Sequence, residues 1–124
     1  MSRVPLIAAV VALLAAAAPA WAGYGAIAYG QYDGKVGASW NQPTQTRAFE
    51  NALRQCNSKD CRVHAVLPKG CGALALGDKD KAGHIPWGGA DRVTLAAAKQ
   101  AAVLHCRSHT AGGTCTVRVF GCNK

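Results

Sequence analysis

The stretch Gly25-Ala26-Ile27-Ala28, running on to Trp40, is echoed in register by Gly72-Ala73-Leu74-Ala75, running on to Trp87. In both copies an alanine-rich segment follows and ends on a cysteine. A chain that repeats itself this way commits to building one supersecondary unit twice, and each unit must bury its apolar face against the other. Ala26 and Ala28 alternate with Ile27 and Tyr29, as Ala73 and Ala75 alternate with Leu74 and Leu76, so each copy opens with a strand that has one small face and one bulky face. Asp33-Gly34 and Asp80-Lys81-Ala82-Gly83 are hairpin turns leading into a second strand that ends on Trp40 or Trp87.

Helices come next. Thr44 and Asp91, at equivalent positions, are expected to cap them, because both side chains accept hydrogen bonds from first-turn amides. The first helix is expected to bury Ala48, Phe49, Ala52, Leu53 and Cys56, and the second Leu95, Ala98, Ala102, Val103 and Cys106. Their match needs an offset shifted by about one turn, which predicts a longer second helix. Cys61 to Leu67 and Cys115 to Phe120 alternate as closing strands, and Gly112-Gly113 in the loop before the last is the expected mobile point. The fold class is therefore α+β: two internal repeats of strand-strand-helix-strand, over 24–71 and 72–122, related by a pseudo-twofold, with antiparallel sheet packed by two helices.

The first 22 residues carry a basic start at Arg3, an apolar run from Val4 to Ala18, and small residues at Ala20 and Ala22. That pattern predicts a secretory signal peptide cleaved near Ala22-Gly23, leaving 23–124 as one domain, secreted or periplasmic, with no membrane span. Export places all six cysteines in an oxidising compartment, where disulfides are the expectation. In each copy one cysteine ends the helix and another opens the next strand, so Cys56–Cys61 and Cys106–Cys115 are predicted bridges. Cys71 and Cys122, each read as closing its copy's last strand, are left to pair. The rival is zinc, through Cys56, Cys61 and His64 or through His105, Cys106 and His109, but the spacing is loose and an exported chain rarely keeps thiolates. No metal and no cofactor is predicted.

Without Arg3, thirteen Lys and Arg face six Asp and Glu, a net charge near +7. This favours anionic partners, yet the cations are scattered along the chain instead of forming a stripe, so no nucleic acid is expected. No catalytic constellation stands out. Asp33, Asp78 and Asp80 sit at turns, no serine has a nucleophile-elbow context, and no phosphate loop occurs. A non-enzymatic binding or interaction protein is the expectation, an inhibitor or an envelope-interacting factor. Its partner would be an exported protein or an anionic envelope component, met through Trp40, Trp87, Tyr29 and Tyr32. The alternative is a small hydrolase that uses a His/Asp pair.

Tyr24-Gly25-Ala26-Ile27-Ala28-Tyr29, Asp60-Cys61-Arg62-Val63, Cys71-Gly72-Ala73-Leu74-Ala75 and the closing Cys115-x-Val117 with Cys122 resemble the exported bacterial family catalogued as domain of unknown function 4189. The resemblance covers essentially the whole chain after residue 22. It implies a small exported protein and carries no activity or catalytic residue set.

Overall fold

The computed structural model describes residues 23–110 and 113–124. The proposed leader and Gly112 lie outside them. Strands β1 (Tyr24–Gly30) and β2 (Val36–Gln42), helix α1 (Gln45–Cys56) and strand β3 (Cys61–Val66) form the first copy. Strands β4 (Cys71–Gly77) and β5 (Trp87–Arg92), helix α2 (Leu95–Arg107) and strand β6 (Cys115–Cys122) form the second. Each copy makes its own three-stranded antiparallel sheet, ordered β2-β1-β3 and β5-β4-β6. The opening strand of each copy is thus central, and burial follows: 25–30 and 71–76 are buried without interruption.

The alternation of small and bulky residues decides what covers each face. Ala26 and Ala28 pack beneath Ala48, Ala52 and Cys56 of α1, and Ala73 and Ala75 beneath Ala98, Ala102 and Cys106 of α2. The bulky faces meet each other, with Ile27, Tyr29 and Val66 of one sheet against Leu74 and Leu76 of the other. The order of layers is helix, sheet, sheet, helix. Full burial of Ile27 and Leu74 contributes about 1.5–3 kcal/mol each. Gly37 and Gly88 permit the close helix–sheet approach, since a Cβ at either would collide with helix backbone, at Ala52 and Cys56 or at Ala102 and Cys106.

The chain carries three bridges: Cys56–Cys61, Cys106–Cys115 and Cys71–Cys122. The first two each join a helix to the strand that follows it. The third joins two paired strands of the second sheet, because Cys71 opens β4 instead of closing β3.

Several expectations need correction. The second helix is capped by Thr94, whose Oγ1 accepts from the Ala97 amide at 3.2 Å, matching Thr44 and Arg47 at 3.1 Å. Asp91 lies inside β5. The helices have nearly equal lengths, 12 and 13 residues, so the shifted offset arises elsewhere. The hairpin loop is five residues (31–35) in the first copy and nine (78–86) in the second; the helix–strand loops are 57–60 and 108–114. Leu53 is 40% exposed, because Ala48, Ala52 and Cys56 already fill the narrow contact with the sheet.

Strand pairing also separates the two tryptophans. Ala28 lies opposite Gly37 and its counterpart Ala75 lies opposite Gly88. Counting from those glycines, Trp40 corresponds to Asp91, and Trp87 corresponds to Val36. The match at a constant offset ignored the four extra residues of the second hairpin. Asn41, at φ 56°, then takes up one residue in a bulge of the first copy, so the helices keep a net shift of three residues, from Thr44 to Thr94, relative to the opening strands.

Candidate functional site

At one end of the molecule the first copy closes on itself. Ser58 Oγ donates to Asp33, whose other oxygen accepts from the Lys35 amide at 3.0 Å. The Tyr32 amide donates to Asp60 Oδ2 at 2.6 Å. Hairpin and helix–strand loop are thereby sewn together, and the Ser58 bond, with help from the Lys35 amide, holds the Asp33 carboxyl below its ordinary value of 3.8.

The second copy, longer in both of these loops, leaves a groove instead. The 78–86 loop folds back through an Asp80 turn, with Asp80 Oδ1 accepting from the amides of Ala82 and His84, both at 2.9 Å. This carries His84 to the first copy's hairpin, where its Nε2 lies 3.0 Å from the Tyr32 hydroxyl, while the Ile85 amide donates to the Gln31 carbonyl at 2.8 Å. His84 Nδ1 faces Asp80 Oδ2 at 3.9 Å. The imidazole is thus hydrogen-bonded to the phenol and lies beside the carboxylate without a hydrogen bond to it.

Opposite stands the C-terminal end of α2. His105 occupies the place that Gln55 holds in the first copy: Gln55 Oε1 accepts from the Ala38 amide at 3.2 Å, and His105 Nδ1 lies 3.2 Å from the Gly89 carbonyl. A carbonyl accepts only, so Nδ1 carries the proton and Nε2 is left free. The rings of His105 and His109 are 5.3 Å apart. Between the two walls lies Trp87, half-buried, its ring 4.4 Å from Tyr29 and 6.2 Å from His105. Burial raises the Tyr29 pKa above 10.0 despite the nearby Arg62 charge, so this backing ring stays neutral. The resulting hollow has a volume of about 250 Å³ and is floored by Ile85 and Pro86.

Of the residues expected to meet a partner, Trp87 lines this groove directly, Tyr32 borders it through His84, and Tyr29 supports it from beneath. Trp40 does not belong to it. Its half-buried indole lies on the Gly121 backbone and reaches Gly25, covering the edge where β2 faces β6. At the opposite edge Asp91 pairs with His64 at 3.8 Å, so one pseudo-twofold position holds an aromatic lid and the other a polar pair. His84, His105 and His109 were missed as a group, since they come from a hairpin, a helix and a loop. The four-residue spacing of His105 and His109 was the visible signal.

The cysteines of both candidate zinc sets are held in disulfides. Among the described residues no three His, Cys, Asp or Glu side chains are placed to share a metal ion. No helix among them is long and apolar enough to cross a membrane.

The chain belongs to the family described as a domain of unknown function, DUF4189, whose sequence profile matches residues 24–122. It is similar to protein Rv1269c of Mycobacterium tuberculosis, 41% identical over 56 residues, covering 45% of this chain and 44% of that protein. It is also similar to the uncharacterized protein Rv1813c of the same organism, 44% identical over 52 residues, which are 42% of this chain and 35% of that one. The sequence matches thus span less than half the length of either relative. The NMR structure of Rv1813c aligns with a TM-score of 0.59 at 29% identity, covering 92% of this chain and 98% of that one.

Proposed function

We propose that this is an exported, non-enzymatic binding protein that holds anionic material of the cell envelope in the groove around Trp87. One observation carries the reading: the groove is made where the second copy departs from the first. The longer hairpin supplies Asp80, His84, Ile85 and Pro86, and the longer helix–strand loop supplies His109. The first copy seals the same place with Asp33, Ser58 and Asp60. Residues shared by the copies build the scaffold, while the added ones bring polar groups to an open surface.

The high positive charge favours association with anionic polymers at low ionic strength. Cys106–Cys115, next to His105, and Cys56–Cys61, next to the Asp60 that holds the Tyr32 amide, brace the two sides of the groove, which lowers the ordering cost of binding. The test is co-sedimentation of the protein with envelope fractions at low salt. Association is expected, and it should weaken when Trp87, His84 or His109 is replaced. Equal association of wild-type and groove variants would remove the groove from the reading. Recovery of a single exported protein from a pull-down, with no envelope polymer, would redirect it to a protein partner.

A second reading, a small hydrolase, has its own observation in His84, whose ring stands between the Asp80 carboxylate at 3.9 Å and the Tyr32 hydroxyl at 3.0 Å, a histidine and an aspartate side by side at the groove. Hydrolysis of envelope material that is lost in both His84→Ala and Asp80→Asn would favour it. Intact material after prolonged incubation would end it.

A further inference from the structure

Beyond the Trp87 hollow the groove continues. A second hollow of about 310 Å³ shares Asp80, Pro86 and His109 with the first and is walled by Lys79, Lys81 and Thr110. The two lobes differ in chemistry. The first presents the Trp87 ring, fixed from behind by Tyr29, with Gln31, Asp80, His84 and the free nitrogen of His105 around it. The second presents two ammonium groups and a hydroxyl beside the carboxylates of Asp78 and Asp80, so its lysines act by direct contact and not through a net charge of the lobe.

Resting on the binding reading, we propose that this groove recognises an acidic disaccharide unit of an envelope glycan. One sugar ring lies on Trp87 and the carboxylate of its neighbour points to Lys79 and Lys81. The first lobe excludes other ligand classes. A wholly apolar ligand would strip water from Asp80, His84 and Gln31 without replacing their hydrogen bonds, which is costly. A compact anion such as phosphate would meet the Asp80 carboxylate here, with no lysine among the described residues lining this lobe to offset it. A pyranose suits both demands, because its C–H face covers the indole while its hydroxyls donate to Asp80 and exchange hydrogen bonds with imidazole and amide groups. A volume of about 250 Å³ is below the range usual for drug-sized ligands and suits a single ring. The second lobe then sorts acidic from neutral glycans, since a carboxylate gains charge-assisted hydrogen bonds from the lysines that a hydroxyl cannot match.

The probes are N-acetylglucosaminyl-N-acetylmuramic acid, which carries a carboxylate, and di-N-acetylchitobiose, which has the same ring skeleton without it. Titrated into isotope-labelled protein, the acidic sugar should shift the Trp87 indole N–H and the His84 and His109 imidazole signals saturably. Chitobiose should bind about tenfold more weakly, the loss of one charge-assisted contact. In the Lys79→Gln/Lys81→Gln protein the acidic sugar should fall to the level of chitobiose, with chitobiose itself unchanged. These lysines are exposed and their replacement leaves the core intact. Equal affinity for the two sugars in the wild-type protein would overturn the role of the second lobe. Trp87 signals indifferent to both sugars, in a protein that still sediments with envelope material, would overturn the disaccharide inference and leave the binding reading standing. Failure to sediment as well would remove both.

Discussion

The close approach of helix to sheet is concentrated at single residues. Gly88 and Gly89 are neighbours in β5, yet the pleat points one at α2 and the other between the sheets. A Cβ at Gly88 would collide with the backbone at Cys106 and Ala102, whereas one at Gly89 would find ordinary contacts, Trp87 at 3.6 Å and His64 at 3.7 Å. Gly88→Ala is therefore expected to destabilise by about 1–3 kcal/mol, lowering Tm by roughly 5–20 °C, with Gly89→Ala much milder. Thermal unfolding by circular dichroism compares them, and equal losses would contradict the helix–sheet distance. Asp33 makes a pH-dependent counterpart. Its pKa is depressed by Ser58 and the Lys35 amide, so its contribution is present above its ordinary value of 3.8 and disappears as pH falls through the lower folded value. Ser58 Oγ also accepts from the Asp60 amide at 3.0 Å, so the gap in denaturant midpoint between wild type and Ser58→Ala should be larger above about pH 4 and narrow, without vanishing, in more acid solution. A difference independent of pH would mean that Ser58 acts through something other than this carboxylate.

Among the elements, both helices begin on a threonine, and that was only half legible. Thr44 is readable because it comes directly after Pro43, just past the end of the second strand. Thr94 was displaced by the expectation of a constant offset, which landed on Asp91 inside a strand. Thr94→Ala should cost about 1 kcal/mol, while Asp91→Ala should leave helix content unchanged; helical circular dichroism and chemical denaturation distinguish them. The alternation of alanine with bulky residues made the central strands and their two faces readable, since a period of two needs no knowledge of partners. What no local pattern contained was the count of residues between strands, because a hairpin can lengthen without disturbing either strand. The bridges differ by the same measure. Cys71–Cys122 spans 51 residues and Cys106–Cys115 spans 9, so on chain entropy the first should stabilise by about 1.5 kcal/mol more. Paired Cys→Ser replacements, followed by urea denaturation, measure this directly, and a smaller loss for the long loop would count against the entropic account.

For the whole molecule, the pseudo-twofold separates what the fold requires from what it merely allows. The helix–sheet contacts, the threonine caps and the helix-to-strand disulfides recur in both copies, so they are needed to close a strand-strand-helix-strand unit. The groove occurs once. The histidines that line it could not be grouped from sequence, because their meeting depends on three separate elements converging at one end. The unequal length of the hairpins was hidden by the constant offset from Trp40 to Trp87, and it is the physical reason the second copy stays open where the first is sewn shut. If the added loop is functional surface and not scaffold, it should be removable. Replacing residues 78–86 with the five-residue 31–35 sequence of the first copy should preserve both sheets, because β4 and β5 keep their pairing from Cys71 with Arg92 to Leu76 with Trp87. Loss of the His84–Tyr32 and Ile85–Gln31 bonds should cost roughly 1–3 kcal/mol, at about 1 per bond, which three intact disulfides can absorb. The shortened protein should give native-like amide spectra for the strands and no saturable ligand response at Trp87. A spectrum of an unfolded chain would instead make the insertion part of the scaffold, and full retention of ligand binding would place the site elsewhere on the molecule.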